Sequence, residues 1–269
     1  MRKYLSCLLL LIIASFKAFS APAEVKKTTD FYFVGVPKCG THLLQKAIYY
    51  LNDESFDKCE PYLHPSNLAE DLFFMQTHPK KKFIIIVRDP RDALRSAFEF
   101  IGQGPIEHDK NPKAEDYWHL PLRMNPDYIN MTDQEKVSHM IKMDRENLLV
   151  GSEKMHTSYL VSVLAGNLPN VKVVRFEDLI GAHGGGDDDI QRETLMQIAC
   201  FLNLSQKNVE NAVKKTWGPE DQHAWKTFRH GIKGRWESFF DQDLINDIKN
   251  YGAWNEFILH YGYENTKDW

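Results

Sequence analysis

Residues 31–50, FYFVGVPKCGTHLLQKAIYY, are the stretch that most restricts how this chain can fold. Aromatic and β-branched residues at 31–34 and 36 predict a strand, and apolar residues at helical spacing from Leu43 to Leu51 predict a helix. The turn between them reads Pro-Lys-Cys-Gly-Thr. A strand that passes through a tight loop into a helix directs backbone N–H groups and the positive end of the helix dipole to one point, which suits an anion.

The residues of this loop fit an anion but not an ordinary nucleoside triphosphate. Gly40 lets the backbone approach a ligand, Thr41 adds a hydroxyl and Lys38 adds a positive charge. Gly35 and Gly40 have the spacing of the loop G-x-x-x-x-G-K-[ST], but Thr41 stands where that motif has lysine. The alternative without a ligand is a helix whose first turn is capped by Thr41.

The first 20 residues differ from the rest of the chain. Arg2 and Lys3 precede an apolar run, and Ala-Phe-Ser at 18–20 provides small residues for cleavage before Ala21. The run is short for a bilayer span, so residues 1–20 predict a secretory signal peptide, with an uncleaved membrane anchor as the alternative. We therefore expect a secretory route (a secreted protein, an organelle lumen or a periplasm) and no stable membrane insertion after cleavage.

Composition excludes several functions. The chain has 33 basic and 37 acidic residues, and cleavage after residue 20 would leave 30 against 37, a net charge of −7, so we expect no nucleic-acid partner. Any anion site must then be a local basic cluster. Cys39, Cys59 and Cys200 remain, too few for a disulfide framework, and whether Cys59 and Cys200 pair is left open. Because no His, Cys or carboxylate spacing is typical of a metal site, we predict no metal.

A second strand is predicted at 83–87, Phe-Ile-Ile-Ile-Val, since such a run between helical segments is typical of a strand buried on both faces of a parallel sheet. Arg88 follows at its carboxyl end, where ligands of open α/β sheets bind, and Ser96 follows on the next helix. The alternative is that Arg88 only pairs with Asp92 or Glu99.

Other segments predict helices, one more strand and two connections. The predicted helices cover 132–150, 152–164 and 190–202, and the strand covers 171–176. Residues 52–72 predict a surface connection. The polar segment from 102 to about 130 is rich in Gly and Pro and predicts either an acceptor-side loop or a plain surface excursion.

Residues 228–240, FRHGIKGRWESFF, combine basic side chains with two glycines and show neither helical nor strand periodicity. Such a loop is suited to close over an anion. A purely structural basic loop is the alternative.

Three of these segments resemble the motifs of the PAPS-dependent sulfotransferases, PAPS being 3′-phosphoadenosine-5′-phosphosulfate. PKCGTHLL is similar to the family's PKSGTTWL loop, IVRDPRDALRS to R-[DN]-P-[RK]-D-x-x-x-S, and RHGIKGRWESF to R-K-G-x-x-G-D-W-K-x-x-F. The resemblance implies an α/β fold, namely a three-layer doubly wound parallel sheet with a P-loop-like phosphosulfate-binding loop. It implies one sulfotransferase domain, which we place at residues 28–265.

The resemblance also implies the reaction and the binding residues. A sulfuryl group would pass from PAPS, the co-substrate, to a hydroxyl or amine of a small-molecule or glycan acceptor, without a metal. The implied binding residues are Lys38, Cys39, Gly40, Thr41 and His42 for the 5′-phosphosulfate, Arg88, Ser96, Arg229, His230 and Gly231 for the 3′-phosphate, and Phe176 near the adenine. His42 replaces a Thr of the family, His230 a Lys and Arg235 an Asp.

Two residues are implied to be catalytic. Lys38 would stabilise charge on the bridging oxygen, and His78, in Gln-Thr-His-Pro, resembles the family's base in T-H-L-P, although a glutamate serves in some branches. A P-loop nucleotide kinase or NTPase and a non-catalytic PAPS- or glycan-binding relative remain as alternatives. The sequence specifies neither the acceptor nor the oligomeric state.

Overall fold

A computed structural model describes residues 31–55, 59–63, 68–99, 125–145, 155–217 and 230–269. The predicted signal peptide, Arg229 and residues 102–124 of the predicted acceptor-side loop lie outside the described residues.

The described residues contain four strands and nine α-helices. The strands are β1 (Phe31–Gly35), β2 (Cys59–Leu63), β3 (Lys82–Val87) and β4 (Val171–Arg175). The helices are α1 (Thr41–Leu51), α2 (Leu68–Thr77), α3 (Pro90–Ala97), α4 (Asp133–Arg145), α5 (Met155–Ala165), α6 (Asp188–Leu202), α7 (Val209–Thr216), α8 (Gln242–Asn250) and α9 (Gly252–His260).

The strands form one parallel sheet in the order β2-β1-β3-β4. Helices α1, α6 and α7 pack on one face, and α2, α3, α4, α5, α8 and α9 contribute buried residues to the core on the other face. The prediction of a three-layer, doubly wound α/β fold is therefore confirmed.

Strand side chains explain why both faces are covered. In β1, Phe31 and Phe33 enter one core while Tyr32 and Val34 enter the other, as the alternation of a strand requires. The run at 83–87 is buried along its whole length, as predicted. An all-parallel sheet of this kind hides both faces because each crossover lays a helix on one of them.

The prediction that 52–72 is only a surface connection was wrong, because this segment contains β2 and the start of α2. Glu60 and Pro61 fall inside the strand and weaken its sequence pattern. Pro61 is tolerated because β2 lies at the edge of the four described strands, where one side of the backbone makes no ladder hydrogen bonds.

The strand order reverses at β1, since the chain continues from β1 to β2 on one side and reaches β3 on the other. Gly35, Leu63 and Ile86 stand in register near the ends of their strands. We call the side of the sheet where β1, β2 and β3 end the carboxyl edge and the opposite side the amino edge. A crevice between β1 and β3 at the carboxyl edge is where doubly wound sheets bind ligands.

Across the described part of the chain, no helix is both long and apolar enough to cross a bilayer. The same residues contain no cluster of three or more metal-ligating side chains. Cys200 is a free, exposed thiol that accepts a hydrogen bond from Gln206, so it does not pair with Cys59 in this structure.

Candidate functional site

The loop of residues 36–40 turns tightly at the carboxyl edge of β1. Lys38 and Gly40 both have left-handed φ angles, 61° and 93°, and the Cys39 amide donates to the Val36 carbonyl. A Cβ at Gly35 would lie 2.0 Å from the Thr41 Oγ1, so glycine there lets the start of α1 pack directly on the end of β1. The loop is therefore compact, and its half-buried Lys38 lies at the crevice between β1 and β3.

Helix α1 begins differently from three other helices of the structure. Asp89, Asp187 and Asp241 each cap a helix by accepting backbone N–H groups of its first turn. The corresponding residue of α1 is Gly40, which has no side chain that could cap the helix. Because Gly40 holds the cap position and Thr41 is already the first residue of α1, capping by Thr41, the alternative without a ligand, is not observed. The amino-terminal end of α1 therefore carries no capping carboxylate at this position, and the positive end of its dipole suits an anion.

Arg88 lies at the end of β3, next to this loop. Its guanidinium donates through Nη2 to the Ile232 carbonyl at 2.7 Å and lies 3.7 Å from the Asp92 carboxylate. The side chain is 9% exposed, yet within the described residues its Nε has no hydrogen-bond partner. A buried charged donor without a partner is costly, which indicates a further acceptor at this position.

Phe176, which follows β4, lies between these two segments. Its ring packs against Gly40, where an added Cβ would meet the Phe176 Cδ2 at 2.6 Å, and the Arg88 guanidinium lies 4.3 Å from its centroid. The residue is buried. The prediction places Phe176 near the adenine; in the structure its ring is buried by Gly40 and Arg88 and supports the site from beneath.

Residues 230–236, which we call the closing loop, pass over Arg88 and along α3. Asp92 accepts hydrogen bonds from the amides of Gly234, at 2.6 Å, and Trp236, at 3.1 Å. On the other side, Lys233 donates its amide to the Gly184 carbonyl. The closing loop is thus fixed by backbone hydrogen bonds at both flanks, with its Ile232 carbonyl on Arg88.

Two predicted residues of this loop are described. His230 is exposed, and Gly231, with φ 63°, accepts a hydrogen bond from the Trp217 indole through its carbonyl. His42, at the start of α1, is also exposed. These residues lie around the crevice rather than in its buried floor.

Ser96 lies on the face of α3 that the closing loop covers. Asp92 and Glu99 stand one turn before and after it, and Glu99 holds Arg235 through two hydrogen bonds of 2.7 and 2.8 Å. Burial alone would raise the pKa of Glu99, but Arg235 and Arg95 outweigh it and the pKa is lowered. Arg235, the departure from the family's Asp, therefore anchors the loop beside Ser96.

Cys39 directs its side chain into the core. Its thiol lies 3.1 Å from the Tyr159 hydroxyl, and its amide already bonds Val36. Burial raises the pKa of the Cys39 thiol to about 12, so it stays protonated. The residue predicted to bind the 5′-phosphosulfate therefore shapes the loop from within, and neither its thiol nor its amide is open to a ligand.

A buried carboxylate supports the end of β3. Glu177 accepts hydrogen bonds from the Asp89 amide, at 3.0 Å, and from the Tyr263 hydroxyl, at 2.8 Å. Burial raises its pKa to about 7, which the Asp89 amide and the charge of Arg88 oppose. Glu177 therefore holds the backbone just after Arg88 in place.

The structure places His78, the predicted catalytic base, away from the crevice. His78 precedes β3, so it lies at the amino edge, and the six residues of β3 separate it from Arg88 by about 20 Å. Its Nδ1 donates to the Phe74 carbonyl at 2.9 Å, and its own carbonyl accepts from Asn170. The side chain closes the end of α2 and cannot reach a ligand at the carboxyl edge.

Topology directs attention to another histidine. Leu63, the last residue of β2, pairs with Gly35 at the carboxyl edge, and the next residue in the chain is His64. His64 itself lies outside the described residues. The sequence contains two His-Pro pairs, at 64–65 and 78–79, and only the first directly follows a strand at the carboxyl edge. Recognising β2 in the sequence would have drawn attention to His64, because this histidine directly follows a strand that ends at the carboxyl edge.

Comparison with known proteins agrees with this site. The model of the sulfotransferase domain family matches residues 57–254, about three quarters of the chain. The chain therefore belongs to the sulfotransferase domain family. The prediction of a sulfotransferase is confirmed, and the kinase alternative is rejected in its favour. No curated protein sequence matches the chain significantly.

Solved structures share the fold at low sequence identity. A mouse sulfotransferase, SULT7A1, complexed with PAP has a TM-score of 0.56 and 16% identity, covering 92% of this chain and 88% of its own. A retinol dehydratase in complex with androsterone and the inactive cofactor PAP has a TM-score of 0.52 and 14% identity, covering 87% and 81%. Both support the α/β sulfotransferase fold.

Proposed function

We propose that this chain transfers the sulfuryl group of PAPS to a hydroxyl or amine of a small-molecule or glycan acceptor, and that PAPS binds at the carboxyl edge between β1 and β3. The buried Arg88 guanidinium, whose Nε has no partner among the described residues, carries this proposal because it marks a place for an anion. The amino-terminal end of α1, where Gly40 stands in place of a capping carboxylate, supplies a second one through its helix dipole. Solved relatives of the same fold hold PAP, the product nucleotide.

In this proposal each of the two anion positions binds a different phosphate group of the nucleotide. The 5′-phosphosulfate lies over residues 38–41, and the 3′-phosphate lies at Arg88 beneath the closing loop, near Ser96. His230 belongs to the same loop, and Arg229, which lies outside the described residues, precedes it in the sequence. Because Gly231 and Gly234 have left-handed φ angles, the closing loop can bend its backbone toward the ligand.

The transfer is an in-line displacement. The acceptor oxygen or nitrogen forms a bond to sulfur while the bond between sulfur and the bridging oxygen breaks, and the electron pair stays on the 5′-phosphate of PAP. The Lys38 ammonium stabilises that negative charge. A base removes the acceptor proton.

We propose His64 as this base. The support is chain continuity, because His64 follows Leu63, whose register with Gly35 brings the chain to the edge that carries the donor loop. An imidazole titrates near neutral pH and is suited to take a proton from a hydroxyl.

The test is a calorimetric titration of the purified protein with PAP, with 5′-AMP and with ATP plus Mg²⁺. We expect PAP to bind best, and Arg88→Ala to weaken PAP binding by about 100-fold, because a charged hydrogen-bonding partner of the 3′-phosphate is lost. Arg192→Ala, which removes a surface arginine paired with Asp189 and Glu210, is the matched control and should leave the affinity unchanged. Equal or tighter binding of ATP with Mg²⁺ would contradict the proposal.

We further propose a secretory location for the protein, with residues 1–20 removed as a signal peptide. The support is the basic start, the apolar run and the small residues at 18–20. Sequencing the amino terminus after expression in a secreting cell should give Ala21, and an intact Met1 on a membrane-bound product would favour the anchor.

A further inference from the structure

One buried tyrosine connects the two segments of the donor site. Tyr159, on α5, is fully buried. Its hydroxyl donates to the Arg88 carbonyl at 2.5 Å and lies 3.1 Å from the Cys39 thiol. Cys39 belongs to the loop that follows β1, and Arg88 belongs to the end of β3, so a single oxygen atom bridges both.

The direction of the two hydrogen bonds follows from the protons available. A phenol has one proton, and here it goes to the Arg88 carbonyl, which can only accept. The Cys39 thiol therefore donates to the Tyr159 oxygen. Burial raises the pKa of Cys39 to about 12 and that of Tyr159 well above 10, so both groups stay neutral at physiological pH and the chain of bonds persists.

The hydrogen bonds of the Tyr159 hydroxyl fix the distance between the two segments, which the packing of side chains alone does not do. Phe176 touches the same two segments from the opposite face of the sheet, against Gly40 and Arg88. Ring packing tolerates sliding, whereas a hydrogen bond depends on both distance and angle. Phe176 therefore fills the space between the segments, and the Tyr159 hydroxyl fixes how far apart they stand.

We infer that the Tyr159 hydroxyl is a positioning group that sets the spacing between the 5′- and 3′-phosphate positions, and so makes the site select nucleotides that carry both phosphates. This inference rests on the proposed function, because it needs the nucleotide at the carboxyl edge. When two anions are joined in one ligand, the second contact forms at a high effective concentration only if its site stands at the matching distance. The affinity for a nucleotide with only one phosphate does not depend on that distance.

Tyr159→Phe tests the inference by removing only the hydroxyl. The protein is titrated with PAP, 5′-AMP and 3′-AMP. We expect the affinity for PAP to fall about tenfold, while the affinities for 5′-AMP and 3′-AMP change by less than about twofold. A purely structural role of Tyr159 would weaken all three nucleotides alike, which would overturn the inference, and so would an unchanged affinity for PAP.

Tyr261→Phe is the matched control. Its hydroxyl bonds the Ser162 Oγ at 2.6 Å, on the same helix as Tyr159, and does not take part in the bridge between Cys39 and Arg88. This variant should lose comparable thermal stability and keep the ratio of PAP to AMP affinities. If it changes that ratio as Tyr159→Phe does, the assignment to Tyr159 fails.

Cys39→Ala provides a second, independent variant at the other end of the bridge. It should weaken the binding of PAP but not the binding of 5′-AMP or 3′-AMP. The double variant should lose less PAP-binding free energy than the sum of the two single variants, because both substitutions remove the same connection. Additive losses would contradict the bridge. If the unmodified protein binds no PAP, the proposed function itself fails, which distinguishes the two failures.

Discussion

The two edges of the sheet both carry positive charge, but they use it differently. At the amino edge, Lys80 is exposed, Lys81 and Lys82 are half-buried, and Lys172 donates to Gln197. The cations of the carboxyl edge include Lys38, Arg88 and Arg175, of which Arg175 pairs with Asp178.

The two edges differ more in whether their polar groups have hydrogen-bond partners than in their positive charge. At the amino edge, the Asn170 amide donates to three carbonyls, those of Met75, His78 and Lys81, and so completes the ends of α2 and its turn. At the carboxyl edge, Gly40 stands at the cap position of α1 and has no side chain, and within the described residues the buried Nε of Arg88 has no hydrogen-bond partner. An anion site is thus marked by buried donors without partners rather than by the number of lysines.

The largest expected effect concerns the two histidines at these edges. His64→Asn should lower kcat by about 10²- to 10⁴-fold, because it removes the proposed base at the carboxyl edge. His78→Asn, at the amino edge, should leave kcat within about twofold, since its imidazole bonds only the end of α2. Steady-state sulfuryl transfer to any accepted hydroxyl measures both. The reverse result would return the base to His78 and require a different arrangement of the sheet.

A second prediction concerns the buried carboxylate at the carboxyl edge. Burial raises the folded-state pKa of Glu177 from 4.5 to about 7, so the folded protein holds this proton more tightly than the unfolded chain. Its contribution to stability is present below pH 4.5 and is lost as the pH rises to about 7, a change of about 3 kcal/mol. Glu177→Gln should remove this part of the pH dependence in denaturant unfolding measured at pH 5 and pH 8.

Glu193→Gln, which changes an exposed glutamate of α6, should keep the pH dependence of the unmodified protein. Parallel stability profiles for the Glu177→Gln variant and the unmodified protein would show that the Glu177 carboxylate ionises in the folded state as it does in the unfolded chain.

The smallest expected effect concerns the closing loop. Asp92→Asn removes the charge beside Arg88 and one acceptor for the Gly234 and Trp236 amides, so the loop should hold the nucleotide less well. We expect PAP to bind about tenfold more weakly in titration calorimetry. Asp241→Asn, at the cap of α8 outside the loop, should leave PAP affinity unchanged. A loss in both variants would indicate general destabilisation instead.

Sequence patterns predicted the parts of the site that lie on continuous apolar segments. β1, its loop and α1 are encoded in 21 consecutive residues, and the run at 83–87 places Arg88 at a strand end without further information. β2 was missed because Glu60 and Pro61 interrupt its pattern, and an edge strand needs less apolar character than a central one.

The same omission affected the choice of a candidate base. Choosing between the two His-Pro pairs requires knowing which of them follows a strand at the carboxyl edge, and β2 supplies that information. The long-range contacts of Tyr159 with Cys39 and Arg88 could not be predicted either, because the sequence of an apolar helix identifies a tyrosine only as a core residue. The first omission concerns a local pattern, and the second concerns tertiary neighbours.

The distribution of the donor site along the chain has a consequence for biosynthesis. Residues 36–40 are made nearly two hundred residues before Ile232, whose carbonyl covers Arg88. At ribosomal speeds of about 5–20 residues per second, roughly 10–40 s pass between the two events. During most of that interval the nascent chain carries the Arg88 guanidinium without its cover, so nucleotide binding should begin only near the end of translation.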